Sequence, residues 1–208
     1  MTSSLRIVIF AKAPLPGFAK SRLANCIGPD AAAGLAKRML LHTLQQALEA
    51  DVGDVELCVT PSAQSDCWQS FEIPAHVSCS DQAGGDLGNR MATIAEHIIK
   101  QGQSVLLIGT DCPALNAGML QLAANALTRV DAAIVPASDG GYVLLGLNRF
   151  HAALFENIPW STNRVAEITQ QRLESLNWQI GLLPTLNDID TPEDLKKLPA
   201  AWHEHHNA

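Results

Sequence analysis

Short apolar runs alternate along this chain with longer segments of helical periodicity. The runs at 5–11, 54–60 and 104–110 are rich in β-branched residues and end at turn-forming segments, which is typical of buried strands. Residues 29–50 and 87–101 repeat apolar side chains every three or four positions, which predicts amphipathic helices. This alternation predicts a three-layer α/β/α fold with a mostly parallel sheet, because parallel strands are joined by helical crossovers.

The rest of the chain extends the same pattern. Between two late strands the segment ASDGG favours a tight turn, which predicts one antiparallel strand in a mixed sheet. Asn116 is a predicted N-cap for the helix that follows it. The other predicted elements are helices at 63–71, 117–127 and 164–176 and strands at 75–80, 131–136, 142–147 and 178–184.

Composition narrows the classes of protein. The chain has 208 residues, of which 47% are hydrophobic, and this predicts one domain over 1–208 with a frayed tail at about 199–208. No apolar run approaches the ~20 residues of a membrane span, and the first strand is too short for a signal peptide. Five cysteines without CxxC spacing indicate reduced thiols and a cytoplasmic protein. The net charge of −7 argues against nucleic acid as a partner, and no pattern indicates the oligomeric state.

The loop after the first strand, KAPLPGFAKSRL, concentrates positive charge. Lys12, Lys20 and Arg22 surround a turn that contains Gly17 and two prolines, and we expect a shaped loop rather than a helix over 12–23. Cations and backbone N–H groups beyond a first parallel strand suit a di- or triphosphate. The alternative is a solvated surface loop. The pattern is neither a Walker A loop nor GxGxxG.

A second candidate for phosphate binding is DQAGGDLGNRM. Three glycines around Asp86 would let the backbone approach a ligand closely, and Arg90 follows near the start of the next helix. An ordinary glycine-rich turn with an exposed arginine explains the segment equally well.

Asp111 follows a strand that is predicted to be buried on both faces. Pro113 ends this strand, which leaves Asp111 at the carboxyl edge of the sheet, where open α/β folds bind ligands. A carboxylate there suits a divalent metal ion held against phosphate oxygens. The alternative is a carboxylate that only caps the next helix.

Four carboxylates lie in the late segment LNDIDTPEDL. Thr191, Pro192 and Asp194 form a helix-start signal, which explains part of the charge. Asp188 and Asp190 are not explained in this way, and alternation puts them on one side of an extended segment. They are either solvated charges or a second arm of a metal site opposite Asp111.

Two polar segments are candidates for the acceptor side of the cleft. The first contains Asp139, Gly140 and Tyr142, which hairpin geometry alone could also explain. The second contains Ser161 and Thr162, for which an N-cap is the alternative. His203, His205 and His206 near the end of the chain could collect adventitious metal.

Six segments together are more specific than any one of them. They are FAKAPLPGFAKSRL, GGDLGNRM, GTDCPAL, PASDGGYVLLGL, WSTNRV and NDIDTPEDL, in this order along nearly the whole chain. This set resembles a bacterial family of glycosyltransferase-like proteins, domain of unknown function 2064, linked in some members to arsenosugar biosynthesis. The family has the GT-A fold of the nucleotide-diphospho-sugar transferase superfamily. Related folds include molybdopterin-guanylyltransferase-like and 2-phospholactate guanylyltransferase-like proteins.

The resemblance implies a donor nucleotide over the first half of the sheet. By this resemblance the loop cations would contact its phosphates, Asp111 would bind metal, and Asp188 or Asp190 would be the second metal-proximal acid. The chain departs from related patterns in two places. It has TDC where many sugar transferases have Asp-x-Asp, and its first loop lacks the LxGGxSxRMG pattern of sugar-nucleotide pyrophosphorylases.

Three functions follow as hypotheses. The first is glycosyl transfer from a nucleotide-diphospho-sugar to a small-molecule acceptor with Mg²⁺ or Mn²⁺, with Asp111, Lys20 and Asp190 as catalytic residues. The second is Mg²⁺-dependent transfer of a nucleotidyl group from a nucleoside triphosphate to a phosphorylated small molecule. The third is a nucleotide-binding regulator without turnover.

Overall fold

The computed structural model describes residues 4–69 and 71–205, and its strands and helices alternate as the sequence predicts. The strands are β1 (Leu5–Lys12), β2 (Asp54–Thr60), β3 (Ser78–Asp81), β4 (Ser104–Ile108), β5 (Ala132–Pro136), β6 (Tyr142–Leu147) and β7 (Ile180–Leu182). The α-helices are α1 (Ser21–Ile27), α2 (Pro29–Ala50), α3 (Leu87–Lys100), α4 (Ala117–Leu127) and α5 (Val165–Ser175). Short 3₁₀ helices lie at Asp66–Trp68, Ala152–Leu154, Pro192–Lys197 and Ala200–His205.

The seven strands form one mixed sheet in the order β3-β2-β1-β4-β6-β5-β7. β6 runs antiparallel to both of its neighbours, whereas the other strands run parallel to one another. This confirms the predicted α/β fold with a mostly parallel sheet. The parallel strands β1, β4 and β5 therefore end at the same edge, and the loops that follow them can form one site.

Helices cover both faces of the sheet. On one face α2 and α4 pack on the strands through Leu40, Leu44 and Leu120. On the other face α3 and α5 contribute Met91, Ile98 and Leu173. β4 is buried at every position, as its uninterrupted apolar sequence predicts for a central strand covered on both sides.

A third apolar cluster joins the late chain to the early helices. Buried Ile189 and Leu198 pack with Leu23 of α1 and with Leu35 and Met39 of α2. This contact brings the acidic segment 188–190 beside the loop that follows β1.

Some local predictions were wrong. The described part of the segment 63–71 contains a 3₁₀ turn, Asp66–Trp68, in place of the predicted helix, and the indole N–H of Trp68 donates to the carbonyl of Pro61. The loop predicted over 12–23 ends early, because α1 begins at Ser21.

The end of the chain also differs from expectation. Residues Ala200–His205 form a 3₁₀ helix where a frayed tail was predicted, and the Trp202 ring packs against His42 and the guanidinium of Arg38. The side chains of His203 and His205, and all of His206, for which adventitious metal binding was predicted, lie outside the described residues. None of the helices within 4–69 and 71–205 is long and apolar enough to cross a membrane.

Candidate functional site

A cleft of about 510 Å³ lies at the carboxyl edge of the sheet. It is bounded by the ends of β1 and β4, by the start of α3 and by the segment after β5. Many of the predicted site residues line it: Lys12, Lys20, Arg22, Arg90, Asp111, Asp139, Tyr142, Ser161, Asp188 and Asp190. The structure thus brings together residues from distant parts of the sequence.

The segment 188–190 is fixed beside Asp111 by its backbone. The N–H of Ile189 donates to the carbonyl of Asp111 at 2.8 Å, and the Ile189 side chain is buried in the third apolar cluster. Asp188 and Asp190, on either side of this anchor, both reach the cleft. One hydrogen bond and one buried side chain thus hold the segment 188–190 beside Asp111.

Lys20 lies between the two acidic segments. Its Nζ is 2.7 Å from Oδ1 of Asp111 and 2.9 Å from Oδ1 of Asp190, and it also donates to the carbonyl of Ile189. An ammonium has three N–H donors, and these three acceptors use them all. Lys20 is therefore engaged by carboxylates and a carbonyl, unlike the phosphate-facing cation that the loop sequence predicts.

The backbone of Lys20 is unusual for a lysine. It adopts a left-handed conformation, with φ 50° and ψ 42°, immediately before α1. This region costs a non-glycine residue about 1–2 kcal/mol, and the side-chain contacts offset that cost. Burial alone would lower the pKa of Lys20, but the charges of Asp111 and Asp190 raise its pKa above the ordinary value. The lysine is therefore charged throughout the neutral range.

The acidic oxygen atoms fit a hard divalent cation. Oδ1 of Asp111, Oδ1 of Asp190 and the carbonyl of Ile189 converge on one point, which the Lys20 ammonium occupies. Mg²⁺ is often bound by one or two carboxylates together with substrate phosphates. Among the described residues no group of three or more His, Cys, Asp or Glu side chains is placed to hold a metal, so the predicted trio of Asp111, Asp188 and Asp190 is not assembled.

Three further cations line the cleft. They are Lys12, Arg22 and Arg90, and no ion pair joins them to an acid within the described part of the chain. The guanidinium of Arg90 donates to Oε1 of Gln82 (3.1 Å) and to the carbonyl of Gly85 (3.0 Å).

Gln82 is a contributor that sequence reasoning missed. Its amide nitrogen donates to the carbonyls of Ala11 (3.2 Å) and Cys58 (2.9 Å), at the ends of β1 and β2. The Gln82 side-chain oxygen accepts from Arg90, so Gln82 links the guanidinium of Arg90 to the strand ends. The only sequence signal is its position directly after β3, where a polar side chain can reach neighbouring strand ends.

Two of the residues predicted for the cleft, Asp139 and Asp188, are neighbouring carboxylates. Burial and, second, the nearby charge of Asp139 together raise the pKa of Asp188 to about 6. Asp139 itself is exposed and accepts from the N–H of Gly141 at 2.8 Å. An anion bound here would meet repulsion from both carboxylates.

Two predicted ligands belong to the local structure instead. Asp86 is the N-cap of α3 and accepts from the N–H of Asn89, and Thr162 donates to the carbonyl of Pro159. Neither residue lines the cleft, and the same is true of Gly17, which forms a turn at φ 75°. The side chains of Asp86 and Thr162 are occupied by backbone partners, and the predicted ligand roles have no support in this geometry.

Two further acceptor-side residues have structural roles. Gly140 has φ 92°, and a Cβ there would lie 2.1 Å from the carbonyl oxygen of Asn163, so the turn needs a glycine. The Tyr142 ring lines the cleft, but its hydroxyl is turned to Met91, and burial raises the pKa of Tyr142. The Tyr142 hydroxyl is therefore not a titrating group of the cleft.

A solved structure with a closely similar fold defines the structural class of this protein. A proposed nucleotide-diphospho-sugar transferase from Desulfovibrio desulfuricans G20 is similar over 98% of this chain and 89% of its own, with 32% identity and a TM-score of 0.88. The fold of this protein is thus that of the nucleotide-diphospho-sugar transferases. The chain belongs to the bacterial family described as "Uncharacterized protein conserved in bacteria (DUF2064)", whose profile matches residues 43–162. The resemblance predicted from the sequence is confirmed.

More distant structures share the fold. CMP:2-keto-3-deoxy-manno-octonic acid synthetase, solved with CTP, matches 97% of this chain and 99% of its own at 12% identity and a TM-score of 0.61. Rv0371c from Mycobacterium tuberculosis H37Rv, solved with manganese, matches 94% of this chain and 98% of its own at 16% identity and a TM-score of 0.53. No protein with a curated description matches the sequence.

Proposed function

We propose that this protein is a nucleotide-dependent transferase that moves a glycosyl group from a nucleotide-diphospho-sugar to a hydroxyl of a small-molecule acceptor. One observation carries the proposal: Lys12, Arg22 and Arg90, which form no ion pair among the described residues, line the same cleft as the acids Asp111 and Asp190 at the carboxyl edge of the sheet. A diphosphate needs fixed positive charge on one side and a metal-binding acid on the other. The 32% identical relative, described as a proposed nucleotide-diphospho-sugar transferase, supports the same class of reaction.

In this proposal different residues bind the donor phosphates and the metal ion. Lys12, Arg22 and Arg90 bind and orient the donor phosphates, and Gln82 holds Arg90 in place. Asp111 and Asp190, with the carbonyl of Ile189, hold Mg²⁺ or Mn²⁺, which would neutralise charge on the leaving diphosphate. The manganese complex of Rv0371c, which shares the fold, is consistent with such an ion. Fixed charges in a partly enclosed cleft are commonly the largest contribution to catalysis.

The charge at the acceptor end favours sugar transfer over nucleotidyl transfer. Asp139 and Asp188 raise the cost of binding an anion there, as the raised pKa of Asp188 indicates. A phosphorylated acceptor would bring two further negative charges to these carboxylates. A neutral polyol would instead donate hydrogen bonds to them.

Nucleotidyl transfer remains the second candidate, because a CTP-bound synthetase has the same fold. In that reaction a phosphorylated acceptor attacks the α-phosphorus of a nucleoside triphosphate and pyrophosphate leaves. In glycosyl transfer the acceptor hydroxyl attacks the anomeric carbon and a nucleoside diphosphate leaves.

Product analysis separates the candidates. The protein is incubated with Mg²⁺ or Mn²⁺ and either a panel of nucleotide-diphospho-sugars or the four nucleoside triphosphates, each with mixed polyol and phosphorylated acceptors. We expect release of nucleoside diphosphate from at least one sugar donor, and none from an Asp111→Asn variant. Pyrophosphate release alone would support nucleotidyl transfer. Nucleotide binding without either product would support the regulator.

A further inference from the structure

The ammonium of Lys20 fills a cradle of oxygen atoms from two distant segments. Oδ1 of Asp111 and Oδ1 of Asp190 lie 2.7 and 2.9 Å from Nζ, and the carbonyl of Ile189 completes the set. Only 6% of the Lys20 side chain is exposed, against 50% for Asp111 and 39% for Asp190. A buried cation thus lies behind two carboxylates that face the cleft.

A divalent metal ion would need these same oxygen atoms. Mg²⁺ binds oxygen ligands at about 2.0–2.1 Å, so an ion held by both carboxylate oxygens would lie close to the position of Nζ. Two cations cannot share this position, because their repulsion is strong at such a separation. Within residues 4–69 and 71–205 no alternative cluster of three acidic, histidine or cysteine side chains offers the ion another place.

We infer that Lys20 is an internal competitor of the divalent cation, and that its ammonium must leave the oxygen cradle before a metal ion binds between Asp111 and Asp190. The inference rests on the metal-dependent function proposed above. Its consequence is that the free protein binds metal weakly, since apparent affinity falls with the fraction of molecules whose cradle is open. The metal ion would then enter best together with a nucleotide, whose phosphates add oxygen ligands to the ion.

The backbone around Lys20 allows this exchange. Its carbonyl accepts from the N–H groups of Leu23 and Ala24, which begin α1, and these bonds do not involve the side chain. Ile189 remains anchored through its own N–H and its buried side chain. The ammonium can therefore leave by side-chain rotation while the walls of the cradle stay in place.

The test measures Mn²⁺ binding without nucleotide, by the electron paramagnetic resonance signal of free Mn²⁺. Lys20→Met removes the competing charge and should bind Mn²⁺ about tenfold or more tightly than the wild-type protein. Lys20→Arg keeps a cation in the cradle and should bind as weakly as wild type. Lys12→Met is the matched control, because it removes one lysine from the same cleft without touching either carboxylate, and its affinity should change less than about twofold.

Further variants identify where the ion binds. Adding Asp111→Asn to Lys20→Met should abolish the gain in Mn²⁺ affinity. The inference is overturned if Lys20→Met binds Mn²⁺ no more tightly than wild type, if Lys12→Met gains as much, or if the gain survives Asp111→Asn. Should Lys20→Met fail to fold by circular dichroism, Lys20→Gln takes its place, since its amide can still donate to a carboxylate.

This outcome is separable from the fate of the proposed function. A protein that turns over no nucleotide but whose Lys20→Met variant gains Mn²⁺ affinity would support the competition and contradict the transferase. An active, metal-dependent transferase whose Lys20→Met variant binds Mn²⁺ no more tightly than wild type would support the proposed function and contradict the competition.

Discussion

The cations of the cleft fall into two groups that are paired differently. In the cationic group, Lys12, Arg22 and Arg90 form no ion pair within the described residues. In the acidic group, Lys20 pairs with both Asp111 and Asp190. The first group can therefore bind an anion, whereas the carboxylates of the second are already neutralised by the lysine.

Two lysines of the same loop therefore differ in their surroundings. Lys12 and Lys20 lie eight residues apart in a segment that reads as uniformly basic. Lys12 is exposed, whereas the left-handed backbone at Lys20 turns its side chain into the protein. Backbone conformation, rather than charge, thus distinguishes Lys12, which we propose as a phosphate ligand, from Lys20, which pairs with acids.

The largest effect should come from the acidic group. Asp111→Asn removes a charged oxygen ligand, and we expect the metal-dependent part of nucleotide affinity to fall about 100-fold, as measured by calorimetric titration with and without Mg²⁺. Asp54→Asn, at the amino end of β2, is the control and should leave binding unchanged. Equal metal dependence in Asp111→Asn and wild type would break the assignment of the acidic group.

An intermediate effect is expected in the cationic group. Gln82→Met removes the oxygen that positions Arg90, and we expect nucleotide affinity to fall about tenfold, which corresponds to one hydrogen bond to a charged group. The Gln171→Met variant, at an exposed position of α5, is the control. If Gln82→Met bound nucleotide as tightly as the control, Arg90 would not depend on Gln82 for its position.

The smallest effect concerns stability at the acceptor end. The folded-state pKa of Asp188 is raised from 3.8 to about 6, mainly by burial and then by Asp139, so ionisation of Asp188 destabilises the fold. This penalty is absent below about pH 4, grows as the pH rises to 6, and is complete above that. Asp188→Asn should therefore be more stable than wild type at pH 7–8 by about 1 kcal/mol, after allowance for solvent screening, or about 2–4 °C in Tm.

A pH series of thermal unfolding curves tests this last prediction. The advantage of Asp188→Asn should shrink towards zero at pH 4. Asp139→Asn should reproduce part of it, because it removes one repelling charge. An advantage that is constant with pH would assign the effect to packing rather than to ionisation.

Much of the fold could be predicted because it depends on local patterns. The bounds of α2, β2, α4 and β6 agree with the periodicity, and Asn116 caps α4 as expected, accepting from the N–H of Met119. The Thr191–Asp194 capping box is also present, although the turn that it begins is a 3₁₀ helix. Here neighbouring residues alone determine the conformation.

The site was predictable only in part. The position of Asp111 at the carboxyl edge follows from the end of β4, whereas the segment 188–190 is held beside it by the Ile189 hydrogen bond and the buried Ile189 side chain. The pairing of Lys20 with Asp190 joins residues 170 positions apart and depends on a left-handed lysine that propensity does not favour. Asp86 stands directly before the first turn of α3, and its N-cap role could have been read from that position.

The most direct test of the account is a crystal structure of the protein with a nucleoside diphosphate and Mn²⁺, with the ion located by its anomalous scattering. We predict an anomalous peak between Asp111 and Asp190, with the Lys20 ammonium displaced from its cradle. We also predict that the phosphates contact Lys12, Arg22 or Arg90. A peak elsewhere, or phosphates bound away from these cations, would contradict the account.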